Sequence, residues 1–255
     1  MSIPDLSLAG KIALVTGGRR GIGKTIALAF AEAGADVAVG DLVIEGGELE
    51  AVAEEIRRLG RRSLAIKVDT SRKADVNNMV QKVVEQFGTI DILFNNAGIS
   101  PAGSILDMSE DEWDKCMNID IKSYYLCAQA AGRIMVERRK GVILCTASQF
   151  SFKPYPNKGA NSIAKAGVDM LTRVLARELG GYGIRVNAIA PGLVKTELTR
   201  VAWTNPEVVR SMADETSLGR ISETNDLVGA ALFLVSDASS YITGHTILVD
   251  GGRMA

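Results

Sequence analysis

The amino-acid sequence predicts an α/β fold, a doubly wound parallel sheet forming a single domain over residues 1–255. Three observations carry that expectation. Short β-branched runs that are apolar on both faces alternate with longer helical stretches, the pattern of a parallel sheet covered by helices on each side. Glycines fall where the helices should stop, at Gly34, Gly60, Gly88 and Gly180, because a residue without Cβ enters the left-handed conformation that closes a helix. No linker, repeat or low-complexity tract divides the 255 residues, and 47% hydrophobic content suffices for one large core.

The elements follow in chain order. "KIALVTGG" reads as the first strand, "GIGKTIALAFAEAG" as the first helix and "DVAVGD" as the second strand. "GGELEAVAEEIRRLG" then makes a helix, "SLAIKVD" a strand, "KADVNNMVQKVVEQFG" a helix and "IDILFNNAG" a strand. A helical segment over 109–139 leads to the strand "GVILCTAS", and another over 160–180 leads to "IRVNAIAPG". The least regular stretch, "VKTELTRVAWTNPEVVRSMADETS" over 194–217, follows the Pro191-Gly192 break. A long insertion beyond a strand's carboxyl end reads as a lid, with plain surface packing as the alternative. Trp203 is placed there as a ligand contact, and Trp113, on an amphipathic helix, in the core.

Composition excludes several classes of function. Lysine and arginine number 29 against 30 aspartates and glutamates, so no bulk field gathers nucleic acid or an anionic membrane, and the expected partner is a small-molecule substrate. No run of eighteen apolar residues occurs, and "MSIPDLSLAGK" lacks a secretion signal, so a cytoplasmic location is expected. Cys116, Cys127 and Cys145 are odd in number and without metal-ligand spacing, which suits reduced, buried thiols. The single histidine, His245, rules out a zinc site built on several imidazoles, and its place in "HTILVD" suits a structural role. A serine hydrolase is disfavoured because no G-x-S-x-G elbow occurs.

The first strand ends in "VTGGRRGIGK", which puts Gly17, Gly21 and Gly23 between strand and helix. Glycines let backbone approach a pyrophosphate, and the helix start behind them offers free N–H groups and a positive dipole end. Asp41 closes the second strand eighteen residues after Gly23. This is the Rossmann arrangement for a dinucleotide. A carboxylate at Asp41 would accept from the adenosine ribose hydroxyls and repel the 2′-phosphate of NADP. Arg20 argues the other way, since a guanidinium near that pocket could pair with the phosphate. NAD is the favoured cofactor, NADP the alternative.

The spacing T-G-x-x-x-G-x-G, carried by Thr16, Gly17, Gly21 and Gly23, resembles the short-chain dehydrogenase/reductase family, and the resemblance covers essentially the whole chain. "VDTS" at 68–71 resembles the family's adenine-side acid, implying roles for Asp69 and Thr70. "NNAG" at 95–98 resembles its sheet-stabilising, cofactor-lining motif, implying Asn95, Ala97 and Gly98, with Ile22 lining the glycine turn. "NAIAPGLVKTEL" resembles the nicotinamide loop, so Pro191, Gly192, Val194 and Thr196 would cradle the carboxamide. The resemblance further implies a homotetramer built on the helices over 109–139 and 160–180 and on the final strand.

In this family Ser, Tyr and Lys carry catalysis, with an Asn holding a water relay. The resemblance places Asn118 at the Asn position, Ser148 at the serine and Lys165 at the lysine of Y-x-x-x-K, where Lys165 would also reach the nicotinamide ribose. The tyrosine is missing: the sequence reads N-S-I-A-K, with Asn161 where the phenol belongs. An amide has no accessible titration, so Asn161 can polarise a carbonyl but cannot be its acid. Tyr155, seven residues after Ser148, has Gly159 four residues on and reads as part of a turn between two prolines. Three explanations follow: a variant in which water, Ser162 or Lys165 handles the proton; a disabled form; or a protein that has left catalysis for binding. For substrate, Gln149, Phe150, Phe152, Ser100 and Pro101 suit a small polar alcohol or ketone, with sugar acids and polyols placed first and 3-oxoacyl thioesters second.

Overall fold

The computed structural model describes residues 5–255. Seven strands run β1 (Ile12–Thr16), β2 (Asp36–Asp41), β3 (Ser63–Lys67), β4 (Ile92–Asn95), β5 (Gly141–Thr146), β6 (Ile184–Pro191) and β7 (Thr246–Val249). They form one sheet in the order β3-β2-β1-β4-β5-β6-β7, with every pair parallel. Successive side chains point to opposite faces of a strand, and both faces here are apolar. Leu14, Ala38, Leu93, Ile143 and Val186 face one core. Val15, Val37, Phe94, Leu144 and Ile189 face the other.

Helices α1 (Gly21–Glu32), α2 (Glu48–Arg58), α3 (Lys73–Phe87), α4 (Glu110–Met117), α5 (Ser123–Arg138) and α6 (Gly159–Leu179) connect the strands. Further on come α7 (Arg200–Trp203), α8 (Pro206–Asp214) and α9 (Val228–Val235). Met79, Val83, Tyr124, Cys127, Ala131 and Val168 bring α3, α5 and α6 onto one face of the sheet. Ile26, Phe30, Val52, Ile56, Ala231 and Leu234 bring α1, α2 and α9 onto the other. The strand order reverses between β1 and β4, and ligands of open α/β sheets bind in the crevice outside the strand ends at such a switch point.

Three local expectations need correction. The segment 109–139 is not one helix: α4 gives way to a π turn, Asn118–Lys122, before α5. Helix α6 does end at Gly180, its C-cap, but at φ −57° that glycine leads into a 3₁₀ turn, and the left-handed conformation falls instead at Gly183, φ 73°. The irregular stretch over 194–217 contains the two short helices α7 and α8. All three cysteines are buried free thiols. Trp113 is partly buried in a small cluster with Cys116, Ala160 and Ala164. His245 lies just before β7 and donates its backbone N–H to Asn187 Oδ1 at 3.1 Å. Among the described residues, no helix is long and apolar enough to cross a membrane.

Candidate active site

A cleft of about 370 Å³ opens at the carboxyl ends of the strands and runs from the β1–α1 turn to Ser148 and Lys165. The end at the β1–α1 turn is shaped by glycine. A Cβ on Gly17 (φ 66°) would lie 2.9 Å from Ala97 Cα, and one on Gly23 would run into the Gly17 carbonyl. Gly17, Gly21 and Ile22 line the cleft; Gly23 lets α1 close onto the turn and does not line it. The start of α1 carries no side-chain cap and no acidic residue in its first turn, so its leading N–H groups, which have no acceptor within the helix, remain available to an anion.

Asn96 ties this turn to the sheet. Its Nδ2 donates to Thr16 O at 3.1 Å, and its Oδ1 accepts from Thr146 Oγ1 at 3.1 Å. Of the NNAG run, Asn96, Ala97 and Gly98 line the cleft. Asn95, fully buried, instead donates from Nδ2 to Tyr124 O at 2.8 Å, fixing β4 to α5. Asp69 and Thr70 line the cleft beyond β3, with Asp69 Oδ1 accepting from Ser71 N and Oγ. Pro191, Gly192, Val194 and Thr196 line the opposite wall.

Asp41 lines the cleft at the end of β2, but the arginine beside it is Arg19. Arg19 Nε stands 3.6 Å from Asp41 Oδ1, and the guanidinium also pairs with Glu48 at the start of α2. Arg20, expected in that place, is exposed at the rim on the residue preceding α1. Its backbone is extended, which turns neighbouring side chains to opposite sides, so Arg19 goes inward.

At the other end Ser148 ends β5's connection and starts a 3₁₀ turn, Gln149–Ser151. Its Oγ accepts from Phe150 N at 3.1 Å, which leaves the hydroxyl hydrogen for a ligand. Lys165, on α6 and 7% exposed, donates from Nζ to Tyr124 Oη at 2.9 Å and to Thr146 O at 3.0 Å. One turn earlier, Asn161 lines the cleft while its Nδ2 donates to Ile99 O at 3.1 Å and to Asp120 Oδ2 at 3.0 Å.

Asp120 is the residue that the sequence reading missed. It is fully buried in the π turn and accepts from Ile99 N at 2.9 Å. Burial pushes its carboxyl above the ordinary range, against the pull of Lys165. Burial likewise lowers the Lys165 ammonium, against the pull of Asp120. Cys116, whose Sγ lies 3.6 Å from Asp120 Oδ2, is pushed up to about 12 by burial and then by that carboxylate.

Asn118, expected to hold a relay, does not reach the site. It is half-exposed and accepts from Lys122 Nζ at 3.2 Å. Cys116, Asp120, Ser123 and Tyr124 form the buried stripe, and two residues on from Cys116 a helical side chain has turned to the far side. A carboxylate at the buried phase of that stripe was the sequence signal for Asp120. Trp203 also stays out of the cleft, donating from Nε1 to Thr196 O at 2.7 Å. Ser162 Oγ donates to Lys158 O at 2.8 Å and does not line the cleft. Tyr155 stacks on Phe150 with centroids 5.8 Å apart, and of that pair only Phe150 lines the cleft.

With this geometry in place, residues 17–253 match the enoyl-(acyl carrier protein) reductase family model. A 3-oxoacyl-[acyl-carrier-protein] reductase of Staphylococcus epidermidis is 39% identical over 242 residues, covering 95% of this chain and 98% of that enzyme. The chain belongs to the short-chain dehydrogenase/reductase family. A dehydrogenase subunit of Thauera aromatica acting on (2S)-[(R)-hydroxy(phenyl)methyl]succinyl-CoA is 38% identical over 250 residues, covering 97% of this chain and 98% of that subunit. Among solved structures, a gluconate 5-dehydrogenase of Burkholderia cenocepacia in complex with NADP and tartrate superposes with a TM-score of 0.95 at 33% identity, covering 100% of this chain and 99% of that one. The fold of this short-chain dehydrogenase/reductase is therefore that of its relatives, and the protein is an oxidoreductase by family.

Proposed function

We propose that the protein transfers hydride between NAD(H) and a small hydroxylated alcohol or its ketone, sugar acids and polyols first and 3-oxoacyl thioesters second. The observation that carries this reading is the continuity of one cleft from the uncapped start of α1 to Ser148 and Lys165. Gly17, Gly21, Asp41, Asp69, Thr70, Ala97, Gly98, Pro191, Gly192, Val194 and Thr196 would hold the dinucleotide, and the uncapped N–H groups at the start of α1, with no acid in its first turn, suit a pyrophosphate. The nicotinamide supplies or accepts the hydride. NAD is preferred to NADP because Arg19 is already held by Asp41 and Glu48, two carboxylates that would repel a 2′-phosphate. The NADP-bound relative makes the opposite preference the one to test.

At the reacting oxygen, Ser148 donates its free hydroxyl hydrogen. Lys165 holds the proton: two of its three N–H bonds are taken by Tyr124 and Thr146, and the third remains for the cleft. Asn161 stands where the family's tyrosine is expected, so the proton moves from an ammonium rather than a phenol. The loss of a positioned phenolic acid slows turnover by ~10²–10⁴. The commitment of the Asn161 amide to Ile99 and Asp120 favours a second reading, a nucleotide-bound binding protein without turnover.

The deciding experiment mixes the protein with NAD or NADP and a panel of polyols and sugar acids, beside the Asn161→Tyr variant, and follows reduced nucleotide. Slow reduction by the unsubstituted protein, faster with NAD than with NADP, supports the enzyme. Nucleotide binding with turnover only in the tyrosine variant supports the second reading.

A further inference from the structure

Gln149 is the most deeply buried polar side chain of the cleft that the chemistry above does not use. It is 2% exposed, lines the cleft, and opens the 3₁₀ turn directly after Ser148. Its Oε1 is buried and has no hydrogen-bond partner among the described residues. A bare buried amide oxygen carries its full desolvation cost, which a methionine of similar shape would avoid. A buried acceptor that lines a cleft and has no partner in the protein marks a place for a ligand's donor.

The neighbourhood defines that ligand. Ser148, the adjoining residue, addresses the reacting oxygen, and consecutive Cα atoms lie about 3.8 Å apart. Both side chains line the same cleft, so the amide is open to a group of the ligand near the reacting centre. A hydroxyl there satisfies either end of an amide, because it both donates and accepts. The orphaned atom is the oxygen, which needs a donor, and a 3-oxoacyl thioester offers beside its reacting carbonyl only a methylene and the thioester carbonyl, neither of which donates. Phe150 and Met212 supply the apolar remainder of that wall.

We propose that Gln149 determines substrate specificity: its amide binds a second hydroxyl next to the reacting carbinol and so selects sugar acids and polyols over 3-oxoacyl thioesters. This rests on the oxidoreductase reading and narrows it. A buried polar group built to bind a hydroxyl penalises the analogue that lacks it.

The test uses the full-length protein and its Gln149→Met variant. Melting is recorded without ligand, and the binding of NADH, D-gluconate and the 2-, 3- and 4-deoxy gluconates is measured calorimetrically, the acids on NADH-saturated protein. The expected result has three parts. Melting rises by about 2–4 °C in the variant, the shift that relief of one buried polar group brings at this chain length. NADH affinity stays the same in both proteins. One deoxy acid binds the unsubstituted protein about tenfold more weakly than gluconate, and the variant loses that discrimination. A fall in melting temperature overturns the inference by showing that the amide serves the fold. So does equal binding of all the acids, or their complete failure to bind while NADH binds. Failure of NADH itself to bind overturns instead the reading on which the inference rests.

Discussion

Asn161 has committed its amide before any substrate arrives, one N–H to Ile99 O and one to Asp120 Oδ2. A phenol at this position would enter the cleft beside Lys165, which lowers its pKa, and beside Asp120, which raises it. Asn161→Tyr is therefore expected to accelerate turnover by ~10²–10⁴, and adding Asp120→Asn should raise it further at neutral pH by removing the opposing carboxylate. Steady-state rates of the two variants check both steps; equal rates in all three proteins would refute the proton-carrier argument. The pH dependence of the unsubstituted protein follows from Lys165. Burial lowers its pKa, so the ammonium persists only below a midpoint that sits under the ordinary lysine range. Carbonyl reduction, which needs the acid, should fall as pH rises through that midpoint. Alcohol oxidation, which needs the free amine, should rise through it. Rate profiles in both directions measure this, and Lys165→Met should abolish the shared midpoint. The sequence made Ser148, Lys165 and Asp41 legible because each sits at a strand end or a fixed spacing. It hid Asp120, because a carboxylate two residues from a plausible asparagine becomes the inward one only when helix phase is known.

The elements divide into those that hold the site and those that cover it. Strands β1, β4, β5 and β6 present the site at their ends, and their apolar runs were readable because both faces are buried. The break between α4 and α5 was not readable, since a π turn leaves hydrophobic periodicity nearly unchanged while shifting one register. The cover is α7 and α8. Trp203 pins α7 through Thr196, and Met212 brings α8 to the cleft wall. Helix α8 starts at a well-formed cap, where Asn205 Oδ1 accepts from Glu207 N at 3.0 Å and Val208 N at 3.4 Å, with Pro206 in the first turn. Loss of such a cap costs about 1 kcal/mol. Asn205→Ala should accordingly speed amide exchange over 206–214 about fivefold and raise substrate KM. NADH affinity should be unchanged, because none of the residues proposed to hold the dinucleotide lies on α8. Exchange mass spectrometry with parallel kinetics separates this from a global loss of stability, which would accelerate exchange in β1 and β5 as well.

For the whole molecule, the sheet order and the two helical layers account for what is buried and leave, among the described residues, an apolar row on α6 and an open sheet edge at β7. Ile163, Met170 and Val174 are exposed along α6, at spacings of seven and four that place them on one side of the helix. Tyr125 is exposed on the neighbouring α5, and Leu248 is exposed on β7, which closes one edge of the sheet. Isolated exposed apolar residues are ordinary, but a row continued across two helices marks an association surface. An edge strand with unpaired backbone groups invites a second contact of the same kind. If the helical surface and the β7 edge each pair with their own copy, the contacts close into a tetramer of dihedral symmetry rather than a dimer. Sedimentation equilibrium should therefore return four times the 27.1 kDa chain mass. Met170→Glu, which buries a charge at the centre of the helical surface, should halve that mass or reduce it further, with NADH affinity retained because α6 meets the cleft only at Asn161 and Lys165. A monomer from the unsubstituted protein would remove the assembly argument and leave the cleft as described.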